Sequence, residues 1–410
     1  MPVGRRTEPI EPSSVEGTLP RPRRHALREL AWLFLKLGTV AFGGPAAHIA
    51  MMEDEVVRRR RWLTHEQFLD LLGATNLIPG PNSTELAIHV GHARAGWAGL
   101  LVAGVCFISP AVAIVTGCAW VYVHLGRLPA AAGVLYGVKP VVIAVVLQAL
   151  WRLGRTALRG PGLALLALGA AGANVLGVDE LVVLACAALL AALVHGARDR
   201  IRRPPSGAMA GLLLPPLAPP TLLGVTGAGA IGAGATAAVK LWPLFAFFLK
   251  VGSVLFGSGY VLLAFLRGGL VHDRGWLTES QLLDAVAIGQ VTPGPVFTTA
   301  TFIGYLLAGA PGAAAATVGI FLPAFVFVAI SGPLVPRLRR SRLAGAVLDG
   351  VNAASLALMA VVTARLAAGA VVDRSTLGLV VVSAVCLLGF RVSSTWLVLA
   401  GAIVGLAAGP

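Results

Sequence analysis

The chain of 410 residues is 57% hydrophobic and only 12% charged, with a formal net charge of +14 at pH 7. Soluble domains carry roughly 25% charged residues, so this composition excludes a soluble globular fold. The basic excess does not point to nucleic acid either, because the arginines fall in short segments between apolar spans and not along one polar face.

Residues 1–28 are polar, proline-rich and basic, and no small-residue cleavage site follows an early apolar core. They read as a disordered cytoplasmic tail. Two transporter repeats then occupy 29–196 and 242–410, because long segments match at an offset of 214. Phe34-Leu-Lys-Leu-Gly-Thr-Val-Ala-Phe-Gly-Gly-Pro45 returns as Phe248-Leu-Lys-Val-Gly-Ser-Val-Leu-Phe-Gly-Ser-Gly259, with seven of twelve positions identical. Trp62-Leu-Thr returns as Trp276-Leu-Thr, and Pro79-Gly80-Pro81 as Pro293-Gly294-Pro295. After one deleted residue the register continues at 213, where Gly137-Val-Lys139 meets Gly350-Val-Asn352. Between the halves, 197–241 is a basic loop followed by an apolar stretch, interrupted by Pro and Gly, with length for one span.

Each half predicts two broken or re-entrant helical hairpins followed by about four transmembrane helices. Gly43-Gly44-Pro45 interrupts the first apolar stretch, and Gly257-Ser258-Gly259 repeats the interruption. Thr64 with Gln67, and Thr278 with Gln281, have capping-box spacing, so a helix starts at each Thr and runs to the Pro-Gly-Pro. The next helix restarts near Asn82 or Val296. These pieces of about 12 to 15 residues are too short to cross a bilayer and are tolerated at membrane depth only when buried in protein or lining a wet cavity. Later spans are expected over 97–123, 131–151, 160–176 and 179–195, and then over 313–335, 343–364, 375–389 and 392–409. Fifty glycines fit close helix packing in lipid. With the hairpins on one side, 23 lysines and arginines fall in cytoplasmic segments, six fall outside, and Lys36, Lys139 and Lys250 lie in apolar stretches. Matching loops differ in basic content between the halves, as inverted repeats require. The fold class is therefore an all-α polytopic membrane protein of two inverted repeats.

Breaks of this kind have chemical consequences. A helix restarting within the membrane presents unpaired N–H groups at its positive end, which is an anion site. Asn82, Ser83 and Thr84 in one half, and Thr298, Thr299 and Thr301 in the other, can replace water around an oxyanion or simply cap the restarting helices. Lys36 and Lys250 share a register seven residues before a glycine break, and a lysine in an apolar stretch has a functional or paired role by default. Snorkelling to the interface is the competing role. Glu85, whose repeat partner is Thr299, either carries a coupling proton or neutralises a lysine. Lys139, next to Pro140, is a weaker coupling candidate or a helix cap. Asp70 and Asp284 read as structural partners of basic neighbours, and His48, His89 and His92 as packed side chains without metal spacing. Cys106, Cys118, Cys186 and Cys386 sit singly in apolar spans, so neither a metal site nor a disulfide framework is expected. No nucleophile and base arrangement, Walker sequence or dinucleotide fingerprint is present, so no cofactor and no enzyme activity are expected.

The paired Phe-x-x-x-Gly-x-x-x-Phe-Gly-Gly-Pro-like segments, the Trp-Leu-Thr starts and the duplicated Pro-Gly-Pro breaks resemble the chromate ion transporter family, in its long-chain, two-domain form. That resemblance implies chromate efflux and chromate resistance, with sulfate as a competing tetrahedral anion. The expected location is a prokaryotic cytoplasmic (inner) membrane, crossed several times, with the N-terminus cytoplasmic by the split of basic residues and a homodimer allowed. The second copy departs from Gly-Gly-Pro at Gly257-Ser258-Gly259, so the two tips need not be equivalent. The residues by themselves support an anion site, leaving open another secondary anion transporter or an intramembrane enzyme using Glu85 and a lysine.

Overall fold

Helix ends in this chain are set by capping side chains, glycine and proline, and the computed structural model follows these signals closely. It describes residues 23–41, 44–125, 129–202, 239–255, 262–331, 341–390 and 392–408, which are helices and connecting turns with no strand among them. Gly43, Gly257, Ser258 and Gly259, the linker span and Arg337 to Arg340 lie outside the described residues, as does the tail up to residue 22.

In the first half, α1 (Arg23–Val40) is followed by α2 (Gly44–Glu53), which widens into a π-helical turn over Asp54–Arg59. Residues 23–28, placed by sequence in the disordered tail, belong to α1. Ala26 and Leu30 are buried there while the arginines sit at the polar end. Lys36 and Glu55 would be about 28 Å apart in a continuous helix, yet their charged ends are 3.0 Å apart, so the chain reverses at the break. Next come α3 (His65–Thr75) and α4 (Asn82–Leu125). α4 is two limbs, because Ala95 and Gly96 leave helical geometry and Gly96 takes φ +65°. A Cβ on Gly91 would strike Gly99 O, and one on Gly104 would come within 2.8 Å of Ile88, so the limbs fold back against each other. The half ends with α5 (Pro129–Ala157), α6 (Pro161–Val175) and α7 (Glu180–Arg202).

The second half repeats this order. α8 (Leu241–Val254) and α9 (Leu262–Leu266), with a π turn over Arg267–His272, precede α10 (Glu279–Val291). A short 3-10 turn, Val296–Thr298, leads into α11 (Thr299–Ser331), which breaks at Ala308 and Gly309 as α4 does. The last helices are α12 (Arg342–Ala370), α13 (Arg374–Leu388) and α14 (Ser394–Ala408). Among the described residues, five helices are long and apolar enough to cross a membrane. Their outward faces carry Trp97, Leu101, Trp151, Leu189 and Ile330, exposed in the isolated chain as a lipid-facing surface would be.

Equivalent helices meet each other. Leu100 of α4 clusters with Val328 of α11, Gly104 abuts the Phe325 ring, and Ile108 and Val112 share a groove with Phe321 and Thr317. Residue numbers rise along one helix as they fall along the other, and Ile108 meets its own repeat equivalent, Phe321. The two copies therefore run antiparallel about a pseudo-two-fold axis across the helices, the relation an inverted repeat requires. The later helices are exchanged: α5 packs on α13 and α14, and α12 packs on α6 and α7. Small residues permit this approach. A Cβ on Gly137 would strike Gly401 O, and one on Gly350 would lie 2.5 Å from the Ala191 Cβ.

Candidate functional site

Both tips are built the same way. At the start of α3, Thr64 Oγ1 accepts from the Gln67 N–H at 3.2 Å and Gln67 Oε1 accepts from the Thr64 N–H at 2.9 Å. Thr278 and Gln281 repeat this box at the start of α10, at 3.2 and 3.0 Å. Each helix then runs into Pro-Gly-Pro, where proline removes a donor and glycine takes a backbone geometry closed to other residues. Gly80 has φ +143° and Gly294 has φ +94°. Beyond each tip a helix restarts, and its first amides have no partner within the helix.

The tips cross between the halves. Gly80 N–H donates to Leu255 O, at the end of α8, at 2.7 Å, and Gly294 N–H donates to Ala41 O, at the end of α1, at 3.1 Å. Ala41 and Leu255 are repeat equivalents, so the two bonds are one contact made twice. Each tip also rests against the opposite half: a Cβ on Gly80 would lie 3.5 Å from Ala324, and one on Gly294 2.7 Å from Ala111. The Pro-Gly-Pro segments thus each lie against the opposite repeat, buried apart from the partly exposed Pro79.

Chemically the tips differ. In the second, Thr298 Oγ1 donates to Pro295 O and Thr299 Oγ1 to Val296 O, both at 2.8 Å, and Thr301 pairs with Thr317 at 2.8 Å. These hydroxyls act as caps and helix bonds. In the first, Asn82 Nδ2 donates to Asn76 Oδ1 at 2.8 Å. Asn82 Oδ1, Thr84 Oγ1 and both Glu85 oxygens are buried without a hydrogen-bond partner. Glu85 is fully enclosed, with Oε1 against the face that Gly80 leaves open. His89, one turn further on, is also buried with Nε2 unpartnered. No lysine neutralises Glu85 among the described residues.

The lysines stand elsewhere. Lys36 is not a free intramembrane charge: its side chain is 48% exposed and Nζ lies 3.0 Å from Glu55 Oε1, with Arg60 on the other carboxylate oxygen at 3.2 Å. Lys250 is exposed and lines one pocket with Asp179, Glu180, Asp273 and Gly269, the last at the position equivalent to Glu55. Neither ammonium is in a tip. Gly44 and Pro45 begin α2, in line with the expected break. Lys139 joins the halves through a buried pair, with Nζ 3.0 Å from Asp284 Oδ1 and 2.8 Å from Ser280 Oγ, while Tyr122 donates to Asp284 Oδ2 at 2.8 Å. This is the structural pairing expected of Asp284; Asp70, its equivalent, is exposed. His48 is a packed side chain bonded to Ala41 O at 2.9 Å. Sequence reasoning passed over Gln290, whose Nε2 is buried and unpartnered just before the second tip. The usable signal was its register with Asn76, an amide before each break. Among the described residues no three His, Cys, Asp or Glu side chains converge as a metal site.

Known proteins share this architecture at the level of sequence. The chain is 32% identical over 405 residues to a chromate transport protein of Cupriavidus metallidurans, covering 97% of each chain. It is 30% identical to a probable chromate transport protein of Synechococcus elongatus, covering 93% of this chain and 95% of the relative. Identity to a chromate transport protein of Pseudomonas aeruginosa is 33%, over 82% and 79% of the two chains. No solved structure matches. The profile described as chromate transporter matches residues 28–192 and again 242–406, the two repeats seen in the fold. This multi-pass membrane protein belongs to the chromate transporter family.

Proposed function

We propose that the chain carries chromate out of the cell across a cytoplasmic (inner) membrane, binding the anion at the repeat interface where each Pro-Gly-Pro tip lies against the opposite half. The observation that carries this reading is the reciprocal pair of bonds from Gly80 to Leu255 O and from Gly294 to Ala41 O, which brings two helix N-termini to the repeat interface. Amides of Asn82 and Ser83, with their positive helix end, the Thr84 hydroxyl and the Gln290 amide supply donors suited to a tetrahedral oxyanion. Thr298 and Thr299 shape the second tip. Lys36 and Lys250 attract the anion toward the tips from outside them, Lys36 with its charge attenuated by Glu55. Sulfate, of the same charge and shape, would compete. The excess of basic residues in the 58–61 and 342 segments supports a cytoplasmic side for these ends and for the N-terminus.

The test is chromate flux in proteoliposomes under an imposed potential. Saturable flux that sulfate inhibits and that Gly80→Ala or Gly294→Ala abolishes is the expected result. Flux unchanged in both variants would remove the tips from the path.

A further inference from the structure

Glu85 is the only acidic residue of either restarting helix limb, and its position in the second tip is taken by Thr299, whose hydroxyl is satisfied by Val296 O at 2.8 Å. Its carboxyl is fully buried, both oxygens lack a partner, and Oε1 lies against the open face of Gly80. Among the described residues, the elements packed on α4 offer it no counter-charge. On α1, Lys36 is held by Glu55 and Glu29 by Arg94. On α2, His48 is engaged with Ala41 O. α3 carries the exposed Asp70, α10 the Asp284 already paired with Lys139, and α11 between Thr299 and Ser331 has no charged residue. One turn along the same helix stands His89, buried with Nε2 unpartnered.

A buried carboxylate without a partner bears the full cost of its lost hydration. A dianion entering the first tip meets either a second negative charge or an O–H donor, and only the latter is compatible with binding. Resting on the tip reading above, we propose that Glu85 is a proton site of the substrate pocket, and that the anion and one proton occupy the first tip together. Linkage is reciprocal: the bound anion raises the proton affinity of Glu85 by the same factor by which the proton raises the affinity for the anion. When the proton is released with the anion, the complete cycle moves one net negative charge instead of two, and outward movement remains driven by an inside-negative potential.

The experiment measures proton uptake when chromate is added to purified full-length protein in weak buffer, compared with Glu85→Gln. Protonation of chromate itself is common to both proteins and drops out of the difference. At a pH above the range where Glu85 is protonated in the empty site, the wild type is expected to take up as much as about one more proton per chromate bound, and its affinity to fall by up to about tenfold per pH unit relative to Glu85→Gln. Glu85→Thr is the second variant, since the fold already accommodates threonine at this place in the other tip, and it should behave as Glu85→Gln does. Equal uptake by wild type and variants that all bind chromate would overturn the proton site and leave the tip reading intact. Wild-type protein that binds no chromate would overturn the tip reading, and this inference with it.

Discussion

Replacing Gly80 by alanine probes the first tip in two separable ways. The backbone there has φ +143°, and a Cβ would collide with Glu85 Oε1 and come within 3.1 Å of Glu85 Cδ. Holding a non-glycine residue in such a region costs of order 1–3 kcal/mol. Overpacking a buried site adds about 1–3 kcal/mol. The backbone share cannot be relieved locally, whereas the collision is with the end of a side chain that can turn. Turning it moves the carboxyl that lines the tip, so transport should suffer more than folding. Gly80→Ala should still insert, with stability lowered by about 2–4 kcal/mol and chromate flux reduced by more than about tenfold, the equivalent of 1.4 kcal/mol. Denaturant unfolding of the purified protein followed by tryptophan fluorescence measures the first, and proteoliposome flux the second. Adding Glu85→Ala to the same chain removes the collision partner, and the cycle should show a coupling of roughly 0.5–3 kcal/mol. Strict additivity would refute the contact, and wild-type flux in Gly80→Ala would refute the role of the tip.

Three further outcomes follow from the same geometry. Lys139→Met leaves Asp284 buried without its cation and should lower stability by about 3–5 kcal/mol, with partial recovery in the double variant carrying Asp284→Asn, read as a shift in the unfolding midpoint. Lys250→Gln should weaken chromate affinity about tenfold and Lys36→Gln by less, because Glu55 already offsets the Lys36 charge; equal losses in a binding titration would show that the pairing does not matter. Cysteines introduced at Arg61 and Ser341, which are not repeat equivalents, should both label from the cytoplasmic side, and labelling of Ser341→Cys from outside would reject the assigned orientation.

Much of the scaffold is legible in the residues because its determinants are local. Thr64 and Thr278 announce helix starts through side chains that bond three residues away, and the prolines and glycines of the breaks act on their own backbone. Partnership between the halves is another matter. The bonds from Gly80 to Leu255 O and from Gly294 to Ala41 O run from backbone to backbone and leave no side-chain trace, and the exchange of α5 onto α13 and α14 is carried by glycine contacts that many packings would permit. The Lys36 pairing with Glu55 was hidden by the reversal between α1 and α2, which turns a separation of 19 residues into an ion pair. What the repeat does expose is where symmetry fails. A perfect two-fold would make a state open to one side of the membrane and its mirror equal in free energy, since each half would take the other's conformation in turn. Glu85 against Thr299 and Lys139 against Asn352 break that equality at a tip and at a buried pair between the halves. In an inverted repeat these mismatched positions are the ones able to bias one access state over the other, so the departures from the repeat carry the functional information while the matches carry the fold.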